Sequence, residues 1–155
     1  MQTIKHRIAA GVIVEHEGRI LLVRHQKPGA YDFWVAPGGG AEDGEDLLAT
    51  VRREALEETG LQIEPTQLVY VEEFCQPQQR ECKMWFLGRY VGGQISTQQV
   101  EATREHIVEA AWLHRDELAG KTVFPPVLHT QYWEDKKRGF DSSPRYLGLR
   151  VMEFF

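Results

Sequence analysis

The segment REALEETG, Arg53–Gly60, decides the fold of this chain because a dense acidic cluster in it directly precedes a glycine. Three of its positions are glutamates: Glu54, Glu57 and Glu58. Apolar residues recur at helical spacing before and within it: Leu47, Leu48, Val51 and Ala55. Gly60 suits the left-handed position that ends a helix. The pattern predicts one helix over Glu45–Thr59.

The three glutamates share one face of this helix, within an arc of about 100°. Like charges one turn apart cost about 0.2–0.5 kcal/mol a pair, and carboxylates in a last turn oppose the helix dipole by about 0.3–1 kcal/mol each. One interpretation is a solvated surface face. The other is a cation site, which the adjoining apolar arc favours, and oxygen ligands suit Mg²⁺ or Mn²⁺.

Composition limits the classes of function. The chain has 155 residues, which predicts a single domain over 1–155. Its net charge of −5 disfavours binding to a nucleic acid polymer or to an anionic membrane. The N-terminal apolar run IAAGVIV is too short to span a bilayer, so we expect a cytoplasmic protein. Cys75 and Cys82 fit no zinc pattern and are too few for a disulfide framework, so we expect free thiols of unassigned role, with a single disulfide as the alternative.

Strand and helix signals alternate along the chain. RIAAGVIVE and RILLVRH predict a hairpin around Gly18, and LVYVEEF, KMWFLGRYV and IVEAAWL predict further strands. HRDELAG predicts a short helix and PPVLHTQYWEDKKRG a longer one that stops at Gly139. QKPGAYDF and GGQISTQQVEATREH are predicted loops, the second long and mobile. Together they predict a sheet covered by helices.

The glycine triplet Gly38–Gly40 resembles a nucleotide-binding loop but fails its specific tests. A dinucleotide fingerprint would need glycine where Asp43 stands, and a P-loop would need a Gly-Lys-Ser/Thr sequence. Two interpretations remain, an ordinary turn after Pro37 or a backbone that approaches a ligand closely.

The complete segment GGAEDGEDLLATVRREALEETGL fits the pattern G-x₅-E-x₇-R-E-U-x-E-E-x-G-U, in which U is aliphatic. Its fixed positions are Gly39, Glu45, Arg53, Glu54, Glu57, Glu58 and Gly60, with Ala55 and Leu61 at the aliphatic places. This segment resembles the Nudix box, over residues 39–61. Ala55 is smaller than the usual aliphatic residue, which affects packing more than chemistry.

The resemblance implies a Nudix hydrolase: an α/β protein, an α/β/α sandwich with a mixed sheet and helices on both faces. Such enzymes use Mg²⁺, sometimes Mn²⁺, to cleave a nucleoside diphosphate linked to another moiety. The resemblance assigns Glu54, Glu57 and Glu58 to metal binding and catalysis, and it assigns the backbone of Gly39 to metal binding. It also implies that Glu45 and Arg53 form an ion pair that orients the helix.

Other candidate residues lie outside the box. A box glutamate, or else Glu101 or Glu105 from the polar loop, is the candidate general base. Tyr31 and Phe33 either stack on a nucleobase or pack in the core. Arg24 is a candidate substrate ligand, and with Lys27, Arg80 and Lys83 it could supply local positive charge, in no order that the sequence decides.

The substrate follows less directly from the sequence. We expect a small nucleotide, either a nucleoside triphosphate or a nucleotide sugar such as ADP-ribose. The alternative is a catalytically silent, nucleotide-sensing domain with the same fold, against which the intact acidic set argues. A Ca²⁺ module lacks its loop motif. Relatives are often dimers, and the sequence leaves monomer and homodimer open.

Overall fold

A computed structural model describes residues 3–151 of the chain. Within them, the strands are β1 Lys5–His16, β2 Arg19–Lys27, β3 Tyr31–Val35, β4 Gly38–Gly40, β5 Leu61–Gln76, β6 Gln79–Gly93, β7 Ile107–His114, β8 Val123–Phe124 and β9 Arg145–Val151. The α-helices are α1 Leu47–Thr59, α2 Val100–Arg104 and α3 Gln131–Lys137, and 3-10 helices span Arg115–Leu118 and Pro126–His129. No helix among these residues is long and apolar enough to cross a membrane.

The strands form a mixed, curled sheet in the order β8-β3-β2-β1-β6-β5-β9, with β4 on β1 and β7 on β2. The predicted hairpin is present, but β1 and β2 pair only beside the turn, at Glu15–Ile20 and His16–Arg19. Beyond that point β1 pairs in parallel with β6, while β2 pairs with β3 and β7. The two halves of the sheet therefore diverge and leave room between them.

Helices cover both faces, so the predicted layered α/β fold is confirmed. Alternate residues of β1 point to opposite sides: Val12 packs with Val51 and Ala55 of α1, whereas Ile13 joins the cluster that contains Tyr132 of α3. The sheet is crowded at Gly11, where an added Cβ would lie 2.3 Å from the Trp85 ring. Cys75 and Cys82 are free thiols, as expected.

Several boundaries differ from the sequence prediction. Helix α1 begins at Leu47, because the Asp46 side chain caps it by accepting a hydrogen bond from the Ala49 amide (2.8 Å). It ends at Gly60, as predicted, with φ of 79°. The long loop at 92–106 is not wholly irregular, since it contains α2, whose Ala102 is buried.

Two further predictions were wrong. The segment at 26–33 is not all loop, because Tyr31 and Phe33 lie in β3. The predicted helix at 125–139 is broken at Thr130, where φ and ψ are −138° and −88°. The break lets Leu128 and Trp133 both pack in the core, and the Trp133 indole donates to the carbonyl of Leu128 (2.7 Å).

Candidate active site

Helix α1 presents the three glutamates toward the inside of the fold rather than toward bulk solvent. Glu58 is 1% exposed and Glu54 is 6% exposed, while Glu57 is partly exposed. Burial follows from the helical spacing, because Glu54 and Glu58 lie one turn apart beside Val51 and Ala55, which pack on the sheet. A solvated surface face is therefore excluded for Glu54 and Glu58.

Strand β4 lies against this acidic face. The Gly38 amide donates to Glu58 (2.9 Å), and the Gly40 carbonyl accepts from Arg53 (3.0 Å). Between them, a Cβ added to Gly39 would lie 2.6 Å from the Glu54 carboxyl group. Only glycine allows this approach, so the triplet is neither an ordinary turn nor a phosphate loop but a strand that packs directly on the carboxylates.

Arg53 organises the carboxylates around it, and the predicted ion pair with Glu45 is confirmed. Its guanidinium donates twice to Glu45, at 2.6 and 3.1 Å, and contacts Glu54 at 2.9 Å and Glu57 at 3.2 Å. These hydrogen bonds, with that from the Glu42 amide, hold the pKa of Glu45 at about 2. Hydrogen bonds to Glu45, then to Glu54, raise the pKa of Arg53, which stays charged.

The acidic cluster carries more negative charge than Arg53 neutralises. Burial, followed by the charges of Glu54 and Glu105, raises the pKa of Glu58 well above its usual value. Burial and the Glu54 charge also raise the pKa of Glu57. One oxygen of Glu54, Oε2, is buried and has no hydrogen-bond partner among the described residues. Buried acceptors without donors fit a divalent cation, because a cation replaces the missing donors.

Glu105 comes close to Glu58, whereas the charge of Glu101 acts on Glu57 and contributes to its raised pKa. One carboxylate oxygen each of Glu58 and Glu105 and a ring nitrogen of His25 lie within 4.8 Å of one another. Desolvation, then the Glu54 charge, raises the pKa of Glu105 to about 7, although much of the residue is exposed. Among the predicted loop candidates, the structure therefore brings Glu105 to the acidic face.

His25 is a site residue that the sequence did not predict. Its Nδ1 lies 3.1 Å from the carbonyl oxygen of Glu105, and its ring stacks on Phe33 with the centroids 5.1 Å apart. Burial lowers its pKa to about 4, so the ring is neutral at pH 7. No motif surrounds it in the sequence, and only the pairing of distant segments reveals it.

A cavity of about 250 Å³ opens beside the acidic face. Its lining includes Gly38, Gly39, His25 and Glu105 on the side of the cluster, aromatic rings of Phe33, Phe74 and Phe124, and the cations Arg7, Lys83 and Arg150. At this volume it suits one part of a nucleotide rather than the whole, since cavities for drug-sized ligands span about 300–1,000 Å³.

The predicted substrate residues divide between cavity and surface. Phe33 is buried and lines the cavity, while its neighbour Tyr31 is partly exposed, with the two ring centroids 5.5 Å apart. Arg24 is not part of the cavity lining. It pairs instead with Asp32, at 2.7 and 2.9 Å. Of the other cations, Arg80 pairs with Glu73 at 2.7 Å, and Lys83 is the one that lines the cavity.

Comparison with known proteins agrees with this geometry. A family model described as the NUDIX domain matches residues 5–133. The chain is 32% identical over 126 residues to the 8-oxo-dGDP phosphatase NUDT18 of Homo sapiens, covering 79% of this chain and 36% of that protein. It is 32% identical over 123 residues to an RNA pyrophosphohydrolase of Caulobacter vibrioides, covering 70% of each. The chain thus spans about a third of the NUDT18 proteins.

Solved structures show the same fold. A NUDIX hydrolase from Nitrosomonas europaea superposes with a TM-score of 0.71 at 26% identity, covering 92% of this chain and 93% of that one. A MutT protein from Methanosarcina mazei Go1 gives a TM-score of 0.66 at 22% identity, with 91% and 99% covered.

Proposed function

The chain belongs to the Nudix family, and we propose that it is a divalent-metal-dependent hydrolase that cleaves the pyrophosphate linkage of a small nucleotide. The observation that carries the proposal is a buried oxygen of Glu54 that has no hydrogen-bond partner within residues 3–151, beside Glu58 and directly under Gly39. Keeping these carboxylates in the fold has a cost that a bound cation offsets.

The residues that would hold Mg²⁺ or Mn²⁺ are Glu54, Glu57 and Glu58, with the backbone of Gly39. A bound ion would supply neutralisation of the diphosphate oxygens and activation of water. Arg53 and Glu45 keep the carboxylates in position, because Arg53 contacts Glu54 and Glu57 while Glu45 fixes its guanidinium.

Glu105 is the residue to which we assign proton uptake from the attacking water. Its pKa of about 7 is suited to a general base near neutral pH, and it contributes to both the acidic cluster and the cavity. Glu101 lies in the same segment and its charge acts on Glu57, but its carboxylate is not one of the groups that meet at Glu58.

The substrate we propose is a nucleoside diphosphate or triphosphate, or a nucleotide sugar such as ADP-ribose. The phosphates lie along α1 and β4, and the base enters the cavity. The names of the relatives add 8-oxo-dGDP and RNA to the set for testing. The net charge of −5 favours the small nucleotides over the RNA.

The test is a nucleotide panel with Mg²⁺, Mn²⁺ or EDTA, with products identified by chromatography. We expect a nucleoside monophosphate product that disappears with EDTA and with Glu58→Gln. Glu105→Gln is expected to lower kcat by about 10²–10⁴-fold, while the matched Glu101→Gln leaves kcat nearly unchanged. Equal losses in the two variants would remove Glu105 from its role. Metal-dependent binding without turnover of any substrate would identify a sensor instead.

A further inference from the structure

A nitrogen donor lies beside the carboxylates of the acidic face. Glu58, Glu105 and His25 each bring one carboxylate oxygen or ring nitrogen to within 4.8 Å of the other two. Glu58 is 1% exposed, and the Gly38 amide fixes its carboxylate by donating to one of the oxygens (2.9 Å). This set of donors is mixed, whereas the glutamates of α1 offer oxygen alone, so the ion that the mixed set prefers is a different one.

The His25 ring is oriented as metal-binding histidines usually are. Its Nδ1 lies 3.1 Å from the carbonyl oxygen of Glu105. Because a carbonyl oxygen only accepts hydrogen bonds, Nδ1 carries the hydrogen and Nε2 keeps the lone pair that can bind a metal. The ring also stacks on Phe33 with an angle of 8° between the two planes, which restricts its rotation.

The backbone holds Glu105 close to His25. The pairing of β2 with β7 shifts by one residue between Arg24 and His25, and such a bulge redirects side chains next to it. Immediately after it, the Gln26 amide donates to the carbonyl of His106 (3.0 Å). The end of α2 is therefore fixed to β2 on both sides of the Glu105 side chain.

The charges around these three residues favour a cation. Glu54 has a buried oxygen without a hydrogen-bond partner within residues 3–151, and its charge acts on both Glu58 and Glu105. Lys83 opposes a cation, because its charge acts on the same two glutamates and on the histidine, and Arg7 also acts on Glu105. The three carboxylates outnumber these two cations, so negative charge remains for a metal to neutralise.

A nitrogen and two oxygens suit a transition-metal ion better than Mg²⁺. Mg²⁺ takes oxygen ligands in an octahedron, whereas imidazole is a good ligand for Zn²⁺ and its neighbours. Zn²⁺ often takes three protein ligands and one water. Ligands of one such ion lie about 3–4 Å apart, so a shift of about 1 Å by Glu105, which is exposed at the end of α2, completes the set.

We propose that His25, Glu58 and Glu105 form a binding site for a transition-metal ion of the Zn²⁺ class, adjacent to the Mg²⁺ site and sharing Glu58 with it. An ion bound there takes the Glu105 carboxylate away from the attacking water and therefore inhibits hydrolysis. This effect on activity rests on the proposed function, whereas the binding of the ion does not.

Calorimetric titration of the metal-free protein with Zn²⁺, and separately with Mg²⁺, tests the site. We expect His25→Gln to weaken Zn²⁺ binding by at least about 10-fold, because even residues that only support a metal ligand contribute about 10–100-fold. The same variant should change the Mg²⁺ affinity by less than about twofold, since Mg²⁺ takes oxygen ligands. In NMR spectra, Zn²⁺ should shift the ring signals of His25 at concentrations near its Kd.

His129→Gln is the matched control, because it removes an imidazole from an exposed position, and it should bind Zn²⁺ as the wild type does. Glu105→Gln changes an exposed ligand and should also lose Zn²⁺ affinity, while Glu101→Gln should keep it. Equal Zn²⁺ affinities within either pair of variants, or no Zn²⁺ binding by the wild type, would overturn the inference. So would equal losses of Zn²⁺ and Mg²⁺ affinity in His25→Gln, since the histidine would then only support the fold.

Hydrolysis assays in Mg²⁺ with added Zn²⁺ separate failure of this inference from failure of the proposed function. We expect Zn²⁺ to inhibit the wild type, and His25→Gln to need at least about tenfold more Zn²⁺ for the same fractional loss. Binding of Zn²⁺ through His25 by a protein that hydrolyses no nucleotide would contradict the function and support the site. Hydrolysis in Mg²⁺ by a protein whose Zn²⁺ affinity does not depend on His25 would do the reverse.

Discussion

Arg53 shows how a single residue makes an acidic helix face compatible with folding. The sequence predicted its pairing with Glu45, and the structure adds contacts to Glu54 and Glu57 from the same guanidinium. Because Arg presents five donors in a fixed plane, it can serve several carboxylates at once, which lysine cannot do. Its charge is nevertheless too small for the cluster, and burial, followed by the charge of Glu54, raises the pKa values of Glu57 and Glu58.

Protonation of Glu105 and His25 should give opposite slopes of stability with pH in the metal-free protein. The pKa of Glu105 is raised to about 7 from 4.5. Its contribution to the free energy of unfolding is therefore present below pH 4.5 and is lost as pH rises through 7. The pKa of His25 is lowered to about 4 from 6.5, so stability is lost as pH falls from 6.5 to 4, by about 3 kcal/mol.

Urea unfolding between pH 4.5 and 7 measures both slopes. Acidification should stabilise His25→Gln more steeply than the wild type, because the opposing histidine is gone. Glu105→Gln should gain less than the wild type, while Glu101→Gln should follow the wild type. A Glu105→Gln profile that coincides with that of Glu101→Gln would contradict the raised pKa.

The sequence predicted those site residues that lie close together in the chain. Glu54, Glu57, Glu58 and Arg53 share one helix, so spacing alone places them on one face. His25, Lys83 and Arg150 reach the site only because β2, β6 and β9 come together in the sheet. Pairing between distant strands leaves no local pattern, which is why His25 was missed and Lys83 was not ranked.

Helix α3 illustrates the same limit for a secondary-structure element. The basic residues near the end and Gly139 predicted the end of the helix correctly. The proline signal placed its start too early. Leu128, before Thr130, and Trp133, after it, belong to the same core cluster. A straight helix over 125–139 would not point both side chains toward that cluster. Tertiary packing therefore overrides the local preference.

Asp135 should be the residue that fixes α3 to the sheet. It is 4% exposed and accepts hydrogen bonds from Tyr70 of β5 (2.7 Å) and Arg145 of β9 (2.8 Å). Asp135→Ala leaves both donors unpaired, and we expect a loss of about 3–5 kcal/mol in the free energy of unfolding. Urea denaturation measures it.

The control for Asp135 lies one residue away on the same helix. Glu134 pairs with Lys137 at the surface, at 3.3 Å, so Glu134→Ala should cost less than about 1 kcal/mol. Tyr70→Phe removes one of the three side chains that donate to Asp135, and its cost should fall between those of Glu134→Ala and Asp135→Ala, at about 1.5–3 kcal/mol. Comparable costs at 134 and 135 would show that the buried bonds to β5 and β9 do not hold the helix.

The cavity is a property of the whole molecule, since it depends on the divergence of β1 and β2. One half of the sheet contributes Phe33 and His25, and the other contributes Phe74, Lys83 and Arg150. Arg150 lies beyond residue 133, where the match to the family model ends. The acidic face therefore lies within the residues that match the family model, whereas β9 adds lining from outside them.

Divalent ions should stabilise the whole molecule in the wild type but not in a Glu54→Gln/Glu58→Gln variant. In EDTA the double variant should melt at the same temperature as the wild type or higher, because it lacks two buried, mutually repelling carboxylates. In millimolar Mg²⁺ or Mn²⁺ the wild type should gain stability by mass action, about 2.7 kcal/mol when the ion is at 100 times its Kd. Calorimetric melting curves with and without the ion measure both effects.

Glu109→Gln/Glu134→Gln removes the same charge from exposed positions and should respond to the ion as the wild type does. An equal gain in the Glu54→Gln/Glu58→Gln variant would place the ion elsewhere, and a lower melting temperature of that variant in EDTA would mean that the carboxylates stabilise the fold without any cation.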